Sequence, residues 1–338
     1  MRTVVIGLGQ MGLSHARAYH AHPGFELVGL VNRSPVTLPA ELAHYKMLAD
    51  FDAALAQRPD VVCICTYTET HADLAIAAMQ AGAHVFVEKP LAATVADAMR
   101  VVETAVRTGR KLVVGYILRH HPSWIAFIAH ARTLGPPFVM RMNLNQQSSG
   151  PAWEIHKKLL ASTSPVVDCG VHYLDVMLQI TDSRPTQVRG MGVRLSDEID
   201  STQVNYGHLQ VLFEDGSVGW YEAGWGPMIS ETAFFVKDVM GPRGAISIVM
   251  DQGGSADLDT HTRTARLRIH DAATHRDTLV AMEDEPGHQE LCEREQAFFL
   301  DAIRHDRDLA RHMQDAVRSL AIVLAADRSM REGRAVDL

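Results

Sequence analysis

Along the first third of the chain, short β-branched apolar runs alternate with longer stretches whose apolar positions recur at helical spacing. The runs predict strands at Thr3–Ile6, Glu26–Val31, Val61–Cys65, His84–Val87 and Lys111–Gly115. The stretches between them predict helices over Met11–His22, Phe51–Gln57, Ala72–Ala81 and Val95–Thr108, with Gly82 and Gly109 as stop signals after the last two. Strands separated by helices of this length need right-handed crossovers, and those build a parallel sheet.

Past Arg119 the pattern changes. One more helix, roughly Trp124 to Leu134, leads through Gly135-Pro136-Pro137 into a region where strand patterns dominate. Leu209, Val211 and Phe213 alternate with polar residues, Glu214-Asp215-Gly216-Ser217 turns the chain, and Val218 to Trp225 returns as a hairpin. Further strands are expected at Phe138–Asn145, Thr186–Leu195, Thr232–Met240, Ala245–Val249 and Ala265–His270. Two closing helices are expected near Gln289–His305 and Arg311–Arg331, and the stretch at Gln252-Gly253-Gly254-Ser255 reads as the most flexible. The fold class is therefore an α/β Rossmann-type domain with a parallel sheet, followed by an α+β domain with a largely antiparallel open sheet. The division is expected at residues 1–120 and 121–338.

Composition narrows the function classes. At 338 residues the chain exceeds an ordinary single core, and 47% hydrophobic with 21% charged content is that of a globular protein. A formal charge of −8, with 32 Lys and Arg scattered along the chain, argues against a nucleic-acid partner. No segment approaches the ~20 apolar residues of a membrane helix, and Met1 leads straight into the first strand without a leader. A membrane partner is not expected, and the cytoplasm is the expected compartment. Cys63 and Cys65 sit on one face of a strand, a poor disulfide geometry, and no second Cys-x-x-Cys accompanies them; they read as small core residues, and no metal site is expected.

Gly7-Leu8-Gly9-Gln10-Met11-Gly12 is a Gly-x-Gly-x-x-Gly placed directly after the first strand and opening the first helix. In that context Gly7 makes the tight turn, Gly9 lets backbone approach a pyrophosphate, and Gly12 lets helix and strand pack closely. The pyrophosphate meets the unpaired amides at the helix start, including those of Gln10 and Met11. Some 20 positions on, where an NAD site carries a carboxylate for the ribose, stand Asn32-Arg33-Ser34. Asn32 can bond one hydroxyl without adding charge, whereas Arg33 and Ser34 suit a 2′-phosphate, which favours NADP over NAD. Arg33 lying over the adenine, with either cofactor accepted, is the alternative.

Glu88-Lys89-Pro90 ends the fourth strand, on the side where parallel sheets bind ligands. Lys89 beside a cationic nicotinamide would have its proton affinity lowered toward neutrality, and Pro90 invites a cis bond; a solvated surface lysine is the other reading. Asp168 and His172 are four apart at the start of an apolar-periodic helix and can share a small polar ligand. His172 could accept an alcohol proton while Asp168 orients the hydroxyl. Equally, Asp168 could be an N-cap and His172 a core residue. Asp175 lies one turn beyond and could orient His172.

Taken together, the N-terminal glycine turn, Glu88-Lys89-Pro90 and Asp168-x-Gly170-x-His172-x-x-Asp175 resemble the glucose–fructose oxidoreductase / inositol dehydrogenase / rhizopine catabolism family. The likeness extends over nearly the whole chain, through Thr66 to His71, Gly115-Tyr116 with Arg119, the Asp215-Gly216 hairpin and Gly241-Pro242-Arg243-Gly244. It implies hydride transfer between NAD(P) and a secondary alcohol or ketone of a sugar, cyclitol or related polyhydroxy compound. Lys89, Asp168 and His172 take the catalytic roles by matching position, and Thr66, His71 and Glu88 join the cofactor contacts. Substrate contacts fall to Lys89, Arg119, Trp153, Asp168 and His172, with His156 and Lys157 as further candidates. The resemblance also implies a homo-oligomer, dimer or tetramer, formed through the open sheet. Two departures stand out: Tyr67 where a proline is frequent, and Ser162-Thr163-Ser164-Pro165 in place of a glycine cluster. The second borders the expected substrate site, so no relative's substrate can be copied. An NAD-dependent glycosidase acting by transient oxidation and a non-enzymatic nucleotide-binding regulator are the competing functions.

Overall fold

The computed structural model describes residues 1–230, 236–249, 264, 266–283 and 285–338. Its first strands are β1 (Arg2–Ile6), β2 (Glu26–Val31), β3 (Met47–Leu48), β4 (Val61–Ile64), β5 (His84–Val87) and β6 (Leu112–Val114), all parallel and ordered β3-β2-β1-β4-β5-β6. Every residue of β4 and β6 is buried, because helices cover both faces of such a sheet; hence the unbroken apolar runs. The helices are α1 (Gln10–Ala21), α2 (Phe51–Leu55), α3 (Thr68–Gln80) and α4 (Val95–Thr108). Strand order reverses between β1 and β4, which opens a ligand crevice at their carboxyl ends.

The four expected helices of this sheet are present, with the bounds of α1, α2 and α3 shifted. α4 matches its expected bounds: Thr94 caps it by accepting from the Asp97 amide, and Gly109 closes it at φ 66°. α3 begins four residues before the expected Ala72, at a Tyr67 whose side chain makes no cap. The two-residue β3 was not expected; it pairs Met47 and Leu48 with Leu30 and Val31.

The second sheet is built from β7 (Val139–Gln147), β8 (Pro185–Val193), β9 (Tyr206–Phe213), β10 (Val218–Gly226), β11 (Lys237–Gly241), β12 (Gly244–Val249), β13 (Arg266–Asp271), β14 (Arg276–Ala281) and β15 (Val336–Asp337). Their order is β14-β13-β12-β11-β7-β10-β9-β8-β15, antiparallel except where β7 runs parallel to β10. The β9–β10 hairpin is as expected, with Gly216 at φ 83° in the turn. The strand expected from Thr232 is seen from Lys237 to Gly241; residues 231–235 and the Gln252–Ser255 stretch lie outside the described residues. β14 was not expected, since all six of its positions are exposed and it has no apolar face to betray it.

Helices of this half are α5 (Pro122–Thr133), α6 (Gly150–Leu160), the short α7 (Pro165–Asp168) and α8 (Gly170–Thr181); α9 (His288–Arg304) and α10 (Ala310–Glu332) follow the sheet strands. The chain divides into two compact units: Met1–His120 with His288–Val317, and His121–Gly287 with Arg318–Leu338. Phe299 and Leu300 of α9 belong to the core of the first unit, beside Val5, Tyr19, Leu30 and Phe86. Among the described residues, no helix is long and apolar enough to cross a membrane.

Candidate functional site

In the first unit, Gly7 turns the chain at φ +87°, and a Cβ there would stand 2.5 Å from the Cys65 carbonyl oxygen. Gly12 sits so near that a Cβ would fall 1.9 Å from the Gly7 carbonyl oxygen. Gly9, by contrast, has nothing within 4 Å of its Cβ position, and no side chain caps α1. The first amides of α1, at Gln10, Met11 and Gly12, therefore stand at an open helix N-terminus with space before them, and these residues fit a dinucleotide pyrophosphate.

Asn32 has work of its own here. Its side-chain oxygen accepts from the Leu8 amide at 2.8 Å, and its amide donates to the Ser34 carbonyl at 2.7 Å, so it braces the glycine turn. Arg33 and Ser34 are exposed beyond it. Thr66 shares a hydrogen bond with Thr70 at 2.7 Å. His71, expected among the cofactor contacts, is buried, with ring nitrogens 2.8 Å from the Pro90 carbonyl oxygen and 3.0 Å from that of Thr66. It clamps the Lys89–Pro90 turn, whose peptide bond is cis, to the loop after β4. Burial holds the His71 proton affinity below its ordinary value. Both ring nitrogens thus face backbone carbonyls, and a place among the cofactor contacts stays a proposal for His71.

Glu88 is likewise turned inward: one oxygen accepts from His15 Nε2 at 2.8 Å and the other from the Lys89 amide at 3.1 Å. Lys89 itself is half-buried at the carboxyl end of β5. Arg119, expected to touch substrate, donates to Asp315 at 3.0 Å and lies 5.9 Å over the Tyr116 ring. Asp315 is buried and also takes Arg311 at 2.8 Å, which makes Arg119 part of an ion-pair cluster.

The second unit gathers Asp168, Cys169 and His172 at the junction of α7 and α8. Ser164 is the cap, accepting from the Val167 amide, and Asp168 is the last residue of α7; the N-cap reading of Asp168 fails for that reason. Asp168 and His172 are half-buried. Asp175 is buried and accepts from Gln179 at 2.9 Å. Trp153 is buried in α6, with Lys157 Nζ 5.9 Å above its ring. Lys157 is spent on Glu154 and Glu198. His156 stacks on Trp225 at 4.6 Å and shares a hydrogen bond with Ser148 at 2.9 Å. Burial lowers the His156 proton affinity, while the nearby Asp168 charge raises it.

Two residues beside Asp168 escape a reading of the sequence. Gln146 of β7 accepts from Trp225 Nε1 at 2.8 Å and from the Cys169 thiol at 3.4 Å. Trp225 signals itself only as the last inward position of a hairpin strand, and Gln146 only through its register opposite Trp225. Deeper in, Tyr173 stacks on Tyr221 at 5.0 Å, and the ammonium of Lys237 lies 4.8 Å over the Tyr173 ring.

Comparison with known proteins accounts for both halves. Residues 1–116 match the oxidoreductase family model described as an NAD-binding Rossmann fold, and residues 131–338 match the same family's C-terminal alpha/beta domain. The UDP-N-acetylglucosamine 3-dehydrogenase of Acidithiobacillus ferrooxidans is 32% identical over 59% of this chain and 61% of its own length. The scyllo-inositol 2-dehydrogenase (NAD(+)) of Bacillus subtilis is 26% identical over 100% of this chain and 96% of its own. The chain thus matches about half to three-fifths of the length of the first curated relatives, and nearly all of others. A solved structure of the Acidithiobacillus enzyme superposes with a TM-score of 0.79 at 24% identity, covering 98% of each chain. Both halves of the chain thus match one family, and the chain belongs to the glucose–fructose oxidoreductase, inositol dehydrogenase and MocA family of oxidoreductases.

Proposed function

We propose that the chain is an NAD(P)-dependent dehydrogenase or reductase acting on a secondary alcohol or ketone of a sugar, cyclitol or related polyhydroxy compound. The open, uncapped N-terminus of α1 at the sheet crevice carries this assignment, since it offers amides and space where a dinucleotide needs them. The relatives named above, dehydrogenases of a nucleotide sugar and of a cyclitol, support the substrate class. When bound, the nicotinamide supplies the hydride acceptor or donor. Lys89, held by the Glu88 and His71 contacts behind it, presents an amine at the strand end and holds or passes the hydroxyl proton. His172 serves as a second proton acceptor, and Asp168 fixes the orientation of the reacting hydroxyl. NADP is the preferred cofactor, because Arg33 and Ser34 are exposed where a 2′-phosphate would lie and no carboxylate stands there.

The outer face of the second sheet supplies the proposed homo-oligomer contact. Paired positions Met240, Val139, Val218 and Leu212 form an apolar row across four strands, and Met191 and Val193 are exposed farther along β8, opposite His208 and Tyr206. Four free cysteines suit a reducing cytoplasm. Incubation with NADP or NAD and a panel of sugars and cyclitols tests the activity by nicotinamide absorbance. Lys89→Ala and His172→Ala are each expected to cut turnover by ~100-fold or more. Near-normal rates in both would remove them from the chemistry, and glycoside hydrolysis without net absorbance change would replace the reaction by a glycosidase.

A further inference from the structure

A second cluster of chemical groups lies inside the first unit, behind Glu88. His15 of α1 and Cys292 and Glu295 of α9 are all buried, and one donor atom from each lies within 4.8 Å of the others. Cys292 and Glu295 are three apart on α9, so they share a face of that helix. Glu295 is 1% exposed, and neither of its oxygens has a hydrogen-bond partner among the described residues. A carboxylate so placed is costly unless it is neutralised or coordinated.

The state of His15 points the same way. Its Nε2–H donates to the Glu88 carboxylate at 2.8 Å, and the Gln296 amide donates to its Nδ1 at 3.0 Å. The proton therefore sits on Nε2, and Nδ1 keeps its lone pair directed at α9, the helix that bears the other two donors. A histidine held by a carboxylate through one nitrogen, which keeps the other unprotonated, is the usual arrangement behind a metal, and here Gln296 occupies that second nitrogen until it yields.

We propose that His15, Cys292 and Glu295 form a buried site for a divalent metal of the zinc class. Nitrogen, sulfur and oxygen donors together suit zinc, and the three lie in the buried interior of the unit, with the fourth tetrahedral position left to a water. Metal binding displaces the Cys292 and Glu295 protons. Cys292 thiolate and Glu295 carboxylate then balance one dication. Gln296 gives up its bond to Nδ1 on coordination, and the metal ties α1, whose first turn is the glycine loop, to α9.

The full-length protein, stripped by chelator and titrated with Co(II), tests this. About one equivalent per chain should be retained through gel filtration, with a thiolate-to-cobalt charge-transfer band and the visible spectrum of a four-coordinate site. Thermal stability should rise on loading with Co(II) or Zn(II). Cys292→Ala and Glu295→Gln, each checked for folding by circular dichroism, should lose the band. His44→Ala, which breaks the exposed His20–His44 pair at 5.9 Å, should keep it. A wild-type titration without a thiolate band, or a band that survives Cys292→Ala, overturns the proposal, as does retention that depends only on His44.

Discussion

Asn32 spends both ends of its amide on the chain around it, holding the Leu8 amide and the Ser34 carbonyl. That leaves Arg33 as the charged side chain nearest the expected ribose, exposed and able to pair with a phosphate. Arg33→Ala is expected to lower kcat/KM with NADP by about tenfold or more while leaving NAD within about twofold, since a charge-assisted phosphate contact contributes roughly 1.5–3 kcal/mol. An unchanged NADP:NAD ratio would remove Arg33 from cofactor selection. The glycine positions were legible because spacing alone dictates what backbone they permit. His71 was legible as a family position, yet its burial and its two carbonyl contacts depend on where Pro90 and Thr66 come to rest. Gln146 was not legible, because an isolated glutamine in a strand says nothing until Trp225 and Cys169 close over it.

At the scale of elements, pairing decides which side chains go inside. Lys237 pairs with Met142, and Met142 with Tyr221, so the lysine is carried onto the inner face of the sheet beside two buried neighbours. Its Nζ donates to the Asn143 carbonyl and side-chain oxygens, and burial pulls its pKa down to about 7, against some attraction from Glu222. The unfolded chain therefore binds more protons between about pH 7 and the ordinary value of 10.5, and the native state gains stability as pH rises through that window. Below about pH 7 both states hold the proton and the full penalty of the buried charge is present. Lys237→Met, compared with wild type by thermal melts, should show its most favourable Tm difference near about pH 6 and a shrinking one toward about pH 10. A difference that does not change with pH would mean the lysine is not held near neutrality. Elements were legible where one face is buried and an end is capped, as in α4, and illegible where neither holds, as in β14.

For the molecule as a whole, the apolar row of Met240, Val139, Val218 and Leu212 is the face proposed for contact between copies of the chain. Wild type is expected to be an oligomer in light scattering coupled to gel filtration, and Val139→Glu combined with Leu212→Glu should convert it to monomers. A wild-type monomer, or an oligomer indifferent to both charges, would discard this face as the contact. The expected two-part organisation was read from a change of texture near residue 120, which is a local property. The return of His288–Val317 to the first unit has no such mark, because an amphipathic helix carries no label for the sheet it will join.

That return sets the order of events at the ribosome. Phe299 and Leu300 fill the core around Val5, Tyr19 and Phe86, but they leave the exit tunnel only after most of the intervening chain has been made. At roughly 5–20 residues per second, the N-terminal half waits on the order of ten seconds or more with that part of its core uncovered. The nascent chain must therefore shield an apolar face, by a chaperone or by provisional packing, until its last helices arrive to replace the guard.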